Sequence, residues 1–259
     1  MVTPLDNKFS QTQLAVRSTA RNATIYAALC TLLVPGLATA AAWNVDPVRL
    51  EISTQQKTAA VTVKNDSDQP TSIQIQAVAW SQVGGKDVYT PTQELLVSPP
   101  IVTIAANAEQ VIRVGLRRQA DASSELSYRI SLQELPPQPA PGVTGVQVAL
   151  RIGLPVFVQP ENGLAAPKLL WSVAQMPDRQ LKVVLNNQGN AHVQISDFAL
   201  YLPASEQAIA SEAGSSYVLA GQTREWLLKT SAAQSGGPLR LKASTDAGNI
   251  ETDLVLGRP

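Results

Sequence analysis

The chain has 259 residues and equal numbers of basic and acidic side chains, 20 of each, so its formal charge is zero. That balance offers nothing to a nucleic acid or to an anionic membrane surface. Aromatic residues make up only 5% and proline is frequent at 18 residues, which suits short strands and turns and argues against a helical bundle.

In chain order, the first 42 residues read as a signal peptide. Lys8, Arg17 and Arg21 are its basic part, Ile25 to Leu37 is an apolar run, and Ala38, Ala40 and Ala42 offer small-residue cleavage sites. Cleavage after Ala40 or Ala42 would start the mature chain near Trp43. The apolar run is too short for a comfortable membrane span and no other stretch reaches about 18 apolar residues, so no membrane insertion of the mature chain is expected. The only cysteine, Cys30, lies in this leader. The exported protein must then be stable from its core alone, without disulfides.

Residues 44–52 read as a first strand, with Val48, Leu50 and Ile52 alternating with Arg49 and Glu51. Further strands are expected at 59–63, 72–80, 95–97, 101–104, 110–116 and 126–135, punctuated by Asn65–Pro70, Gly84-Gly85, Pro99-Pro100 and Pro136-Pro137. A polar, proline-rich loop at 138–144 follows. Then comes Gly145–Pro160, in which Val146, Val148, Leu150, Ile152, Leu154, Val156 and Val158 fall on every second residue and so share one face of a strand. Pro155 and Pro160 put this strand at or near a sheet edge. An edge strand with an unbroken apolar stripe is a hazard that proteins normally blunt. Retained here, the stripe reads as meant for another chain, against the plainer reading of an ordinary core strand. Short strands at regular spacing without helical periodicity point to an immunoglobulin-like sandwich over 43–160.

Pro160–Ala166 is the best boundary, and residues 161–259 read as a second all-β unit. Its strands are expected at 168–173, 180–185, 192–202, 217–219, 223–228, 239–243 and 250–256, with a hairpin turn at 246–249. His192, the only histidine, reads as structural, and one histidine with no mature cysteine makes a transition-metal centre improbable. No nucleophile elbow, phosphate loop or dinucleotide fingerprint is present. Trp80, Trp171 and Trp226 read as core residues. Neither an enzyme nor a cofactor is expected.

Four stretches in order, DPVRLEIS (46–53), VSPPIVTIAANAEQVIRVGLR (97–117), YRISLQELPP (128–137) and VALRIGLPVFVQP (148–160), resemble the periplasmic pilus chaperones of the chaperone–usher pathway, the PapD-like family. The short 138–145 loop resembles the short-loop members, and the YRISLQELP style an archaic or spore-coat-type branch. The resemblance implies two immunoglobulin-like domains set as a boomerang around a cleft. It implies a periplasmic chaperone that lends its long strand to a pilus or fimbrial subunit by donor-strand complementation and delivers the subunit to an outer-membrane usher, without ATP. Val146, Val148, Leu150, Ile152 and Leu154 would then be the donor residues, each worth roughly 1.5–3 kcal/mol when buried in a groove. Arg49 takes the family's first-strand arginine position as anchor for the C-terminal carboxylate of the bound pilin. The second basic position usually holds a lysine near Pro155, so Arg151 or Arg129 would replace it. Glu125 matches an acidic residue in an interdomain contact whose arginine partner is Gln159 here. Self-capping as a homodimer stays open, as does the alternative of an exported structural or adhesive immunoglobulin-like protein whose stripe is ordinary core.

Overall fold

The computed structural model describes residues 43–136, 148–203, 205–231 and 236–257. The leader expected over 1–42, the loop at 138–144 and Val146 lie outside the described residues. Among the described residues every regular element is a strand, and no helix is long and apolar enough to cross a membrane.

The first sandwich is built from β1 (Trp43–Asp46), β2 (Leu50–Ile52), β3 (Thr58–Asn65), β4 (Thr71–Val83), β5 (Lys86–Pro91), β6 (Leu95–Ser98), β7 (Ile101–Ile104), β8 (Glu109–Leu116), β9 (Leu126–Leu135) and β10 (Arg151–Val158). One sheet has the order β1-β3-β8-β6, and the facing sheet runs β2-β10-β9-β4-β5 with β7 also on β4. The alternation that marks β3 puts Ala59, Val61 and Val63 inside, against Ile73, Ile75, Ile112, Val114, Ile130, Leu132 and Val156. The single first strand expected at 44–52 is two strands in different sheets. The chain crosses from β1 on β3 to β2 on β10 through Pro47, which follows a cis peptide bond and cannot donate to a ladder.

The second sandwich holds β11 (Leu169–Met176), β12 (Gln180–Asn187), β13 (Val193–Tyr201), β14 (Ala208–Val218), β15 (Thr223–Lys229), β16 (Pro238–Thr245) and β17 (Gly248–Gly257). Its path is β14-β13-β16-β17-β11-β12-β15, with β17 antiparallel to β16 and joined in parallel to β11 only at Leu256 and Gly257. A separate core forms around Trp171, Phe198 and Trp226, whose ring centroids lie 5.1–5.9 Å apart. β14 extends far beyond the 217–219 segment expected. Its Ala, Ser and Gly residues carry no apolar alternation, and register shifts in β13 at Ile195/Asp197 and Leu200/Tyr201 interrupt the pairing.

The two sandwiches repeat one local device. Asn65, ending β3, donates its amide to the carbonyls of Gln69, Ile104 and Ala105 and accepts from the Ser67 N–H. Asn187, ending β12, donates to those of Ala191, Val218 and Leu219 and accepts from Lys168 and Gly189. A fully satisfied buried amide is the condition under which a polar side chain can tie loops from inside a core.

Candidate functional site

β10 pairs with β9 along its whole length, Arg151↔Gln133 to Val158↔Leu126. The Glu134 N–H donates to the Leu150 carbonyl at 2.9 Å. Bonds to one neighbour recur at every second residue of an antiparallel ladder. Ile152, Leu154, Val156 and Val158 therefore face β9 with their main-chain groups, and Arg151, Gly153, Pro155 and Phe157 turn theirs to the opposite edge. On that edge β2 runs parallel but covers only Val156–Val158. From Pro155 back to Val148 no strand among the described residues covers it. Pro155 falls in the outward set, so its missing N–H costs β9 nothing.

The apolar stripe divides along this line. Leu154, Val156 and Val158 are buried in the first core, Leu154 at 3% exposure, whereas Ile152 and Leu150 are half-buried and Val148 is 82% exposed. Leu154 thus has no side-chain surface left for a partner's groove.

The other face of this sheet carries the arginines. Arg129 stands directly opposite Pro155, Ser131 opposite Gly153 and Gln133 opposite Arg151. Arg129 donates from Nη1 to the Tyr89 hydroxyl at 2.9 Å, and its guanidinium lies 4.7 Å from the Trp80 ring centroid. Its Nε is buried without a partner. A Cβ at Gly153 would lie 3.8 Å from Arg129 Nη1, in ordinary contact with the guanidinium. Arg151 is exposed and donates from Nε to Ser131 Oγ at 2.8 Å.

Arg49, in the bend before β2, meets the second sandwich. Its Nη1 lies 2.7 Å from Asp246 Oδ2 in the β16–β17 turn, and its Nε 3.5 Å from Glu51. Together with Val48, Gln194 and Tyr217 they line a cleft of about 610 Å³. Behind it lies the joint between the sandwiches. Trp80, Phe157 and Leu219 are buried together, with Tyr217 against them. The Gln82 side chain accepts from the Leu219 N–H at 3.0 Å and donates to the Tyr217 carbonyl at 2.9 Å. The imidazole of His192 stacks on the Phe157 ring at a centroid distance of 3.4 Å and 6°. Glu125 accepts the His192 backbone N–H and faces its Nδ1 at 2.8 and 2.9 Å. Gln159 makes no part of this bridge; the side chain that faces Glu125 is His192.

Burial opposes a charge on His192, but the carboxylates of Asp246 and Glu125 outweigh it and raise its pKa above 6.5. Burial likewise opposes ionisation of Asp246, but His192, the Gln194 N–H and Arg49 outweigh it and lower the pKa to about 2. None of Phe157, Tyr217, His192 and Asp246 stands out in the sequence as part of a site. The available signals were an aromatic on the polar face of the long strand and a lone histidine just after a turn. Among the described residues no cluster of histidine, cysteine and carboxylate side chains could hold a metal ion. Three arginines along one face and cleft make the arrangement suited to an anion carried by an extended chain.

Residues 42–163 match the family described as pili and flagellar-assembly chaperones, PapD N-terminal domain. No curated protein sequence matches this chain. Among solved structures it is similar to a chain of the CsuC–CsuE chaperone–tip adhesion subunit pre-assembly complex from archaic chaperone–usher Csu pili of Acinetobacter baumannii. That likeness has 24% identity and a TM-score of 0.63, covering 83% of this chain and 98% of that one. The complex of the SafA pilin and SafB chaperone of Salmonella enterica gives 16% and 0.58, covering 85% and 98%. The CupB2 chaperone of Pseudomonas aeruginosa gives 20% and 0.55, covering 83% and 100%. At such identities the structural likeness speaks for the fold. The sequence match takes in the first sandwich and all of β10: over residues 42–163 this chain is similar to the PapD-like family of pilus chaperones.

Proposed function

We propose that this protein is a periplasmic chaperone that captures a pilus subunit on the uncovered half of β10. The observation that carries the reading is the contrast along one strand. Its end is buried between β9 and β2, while its start offers an open edge and an exposed Val148. An incomplete sandwich adding to that edge would bond to the outward N–H groups of Arg151 and Gly153, and its groove would receive Val148, Leu150 and Ile152, with Val146 upstream. The donor set ends at Ile152, because Leu154 fills the chaperone's own core. Arg129 supplies the second cation that Pro155 cannot, and with Arg49 holds the subunit's terminal carboxylate. Arg151, further out on the same face, adds a third positive charge. Export by a leader over 1–42, two domains meeting near residue 160 and delivery to an outer-membrane usher complete the reading.

The test is co-expression in the periplasm with candidate exported subunits from neighbouring genes. Wild type should recover the subunit in a one-to-one complex. Val148→Asp, at a site exposed in the free protein, should fold normally and recover none. Equal recovery by Val148→Asp, or a folded wild type that recovers nothing, would sink the reading.

A further inference from the structure

The ring of His192 lies between two carboxylates. Nδ1 faces Glu125 at 2.8 and 2.9 Å, Nε2 is 3.6 Å from Asp246 Oδ2, and that same oxygen takes the Arg49 Nη1 bond at 2.7 Å. A neutral imidazole has one N–H, so one of its nitrogens would turn a lone pair toward a carboxylate. Only the imidazolium satisfies both sides. Glu125, His192, Asp246 and Arg49 therefore form one row of alternating charge. It starts at a Glu125 side chain that is 4% exposed and ends at Arg49 in the open cleft. Phe157 stacks on the imidazole, and the Tyr217 ring lies 5.8 Å from it. The remaining groups facing the row are Glu51, beside Arg49, and the Tyr217 hydroxyl, which burial keeps neutral by raising its pKa.

We propose that His192 and Asp246 are positioning residues for Arg49, and that the proton on His192 sets how strongly Arg49 takes a pilin's terminal carboxylate. The inference rests on the reading of Arg49 as an anchor. Asp246 competes with an incoming carboxylate for one guanidinium and repels it. With His192 protonated, Asp246 is shared between two cations and its hold on Arg49 is loosened. With His192 neutral, Asp246 has Arg49 alone, and within this row the carboxylate meets Glu51, Glu125 and Asp246 against Arg49 without the imidazolium's charge. Binding thus weakens as pH rises through the titration of His192, and by reciprocity the bound carboxylate raises the pKa of His192. The raised pKa puts this titration above 6.5.

A single histidine makes the test direct. The imidazole of the untagged exported chain is titrated by NMR, alone and with a decapeptide of alternating valine and serine that has a free C-terminal carboxylate, or with its C-amide twin. Calorimetry gives the affinity of both peptides at pH 6 and 8.5. The carboxylate peptide should raise the pKa of His192 by about half a unit and therefore bind about threefold more weakly at the higher pH, one unit being tenfold. The amide should do neither. Asp246→Asn should bind the carboxylate peptide more tightly than wild type at pH 8.5 and lose the pH dependence, which a merely structural histidine contact would not produce. If the carboxylate peptide binds better than the amide yet with a flat pH profile and an unmoved pKa, the row is overturned and the anchor stands. If the two peptides bind alike, or neither binds, the anchor reading falls and takes the inference with it. The wild-type measurements decide between these outcomes whether or not the variants fold.

Discussion

Arg129 stands across the β9–β10 ladder from Pro155, near where the sequence resemblance implies a lysine on the long strand itself. Moving the cation one strand sideways changes its surroundings. It gains the Trp80 and Tyr89 rings as a platform and the Tyr89 hydroxyl as an acceptor. A flat, forked guanidinium exploits that platform and a carboxylate at once, and a lysine ammonium does not. Arg129→Lys should therefore weaken pilin binding nearly as much as Arg129→Ala, by about tenfold or more, as for other desolvated charge pairs. Arg151→Ala, at an exposed site, should cost far less. Titration calorimetry with a purified pilin distinguishes the three, and equal losses for Arg129→Ala and Arg151→Ala would contradict this ranking. At the same scale, Phe157 is buried with Trp80 and Leu219 at the joint and stacks on His192. Phe157→Ala should destabilise the protein by about 3–5 kcal/mol in chemical denaturation.

At the scale of elements, the decisive feature is that β10 has two different neighbours on its outer edge. β2 ends its cover at Val156, and the strand continues uncovered toward Val148. One stripe therefore serves two ends, a core at 154–158 and an open edge at 148–152. Leu154→Asp should abolish folding, because it buries an unpaired charge among Ile130, Leu132 and Val156. The same change at Val148 should leave circular dichroism and thermal midpoint unaltered. Gly189 illustrates a second constraint between elements. A Cβ there would fall inside the backbone of Ala166, Pro167 and Lys168, where the segment entering β11 crosses the β12–β13 turn. Gly189→Ala should destabilise by roughly 1–3 kcal/mol, since backbone cannot yield as a flexible side chain does.

For the whole molecule, the joint between the sandwiches is ionic as well as apolar, and its strength depends on pH. The pKa of His192 is raised in the folded state, so its contribution is complete below the ordinary 6.5 and is lost as pH rises through the folded value. The pKa of Asp246 is lowered to about 2, so its contribution is complete above the ordinary 3.8 and fades as pH falls toward 2. Stability from this row should be greatest between those limits. The thermal midpoint of wild type should fall between pH 6 and 8.5, and His192→Gln should show a flatter profile over the same interval. The sequence alone was enough for what depends on local periodicity and turn chemistry: the all-β class, most strand positions, the long stripe, and the residues of the 246–249 turn. It also held the ordered motifs that mark the family. It could not say where the stripe stops being core, because alternation tells which residues share a face and not what covers that face. It could not bring Arg129 to Pro155, a consequence of strand register, nor His192 to Glu125 across 67 residues, a consequence of docking two sandwiches. β14 stayed hidden because its small and polar residues are held by pairing with β13 instead of by burial. Contacts between distant segments are decided by the packing of whole sheets, and only the tertiary structure supplies that.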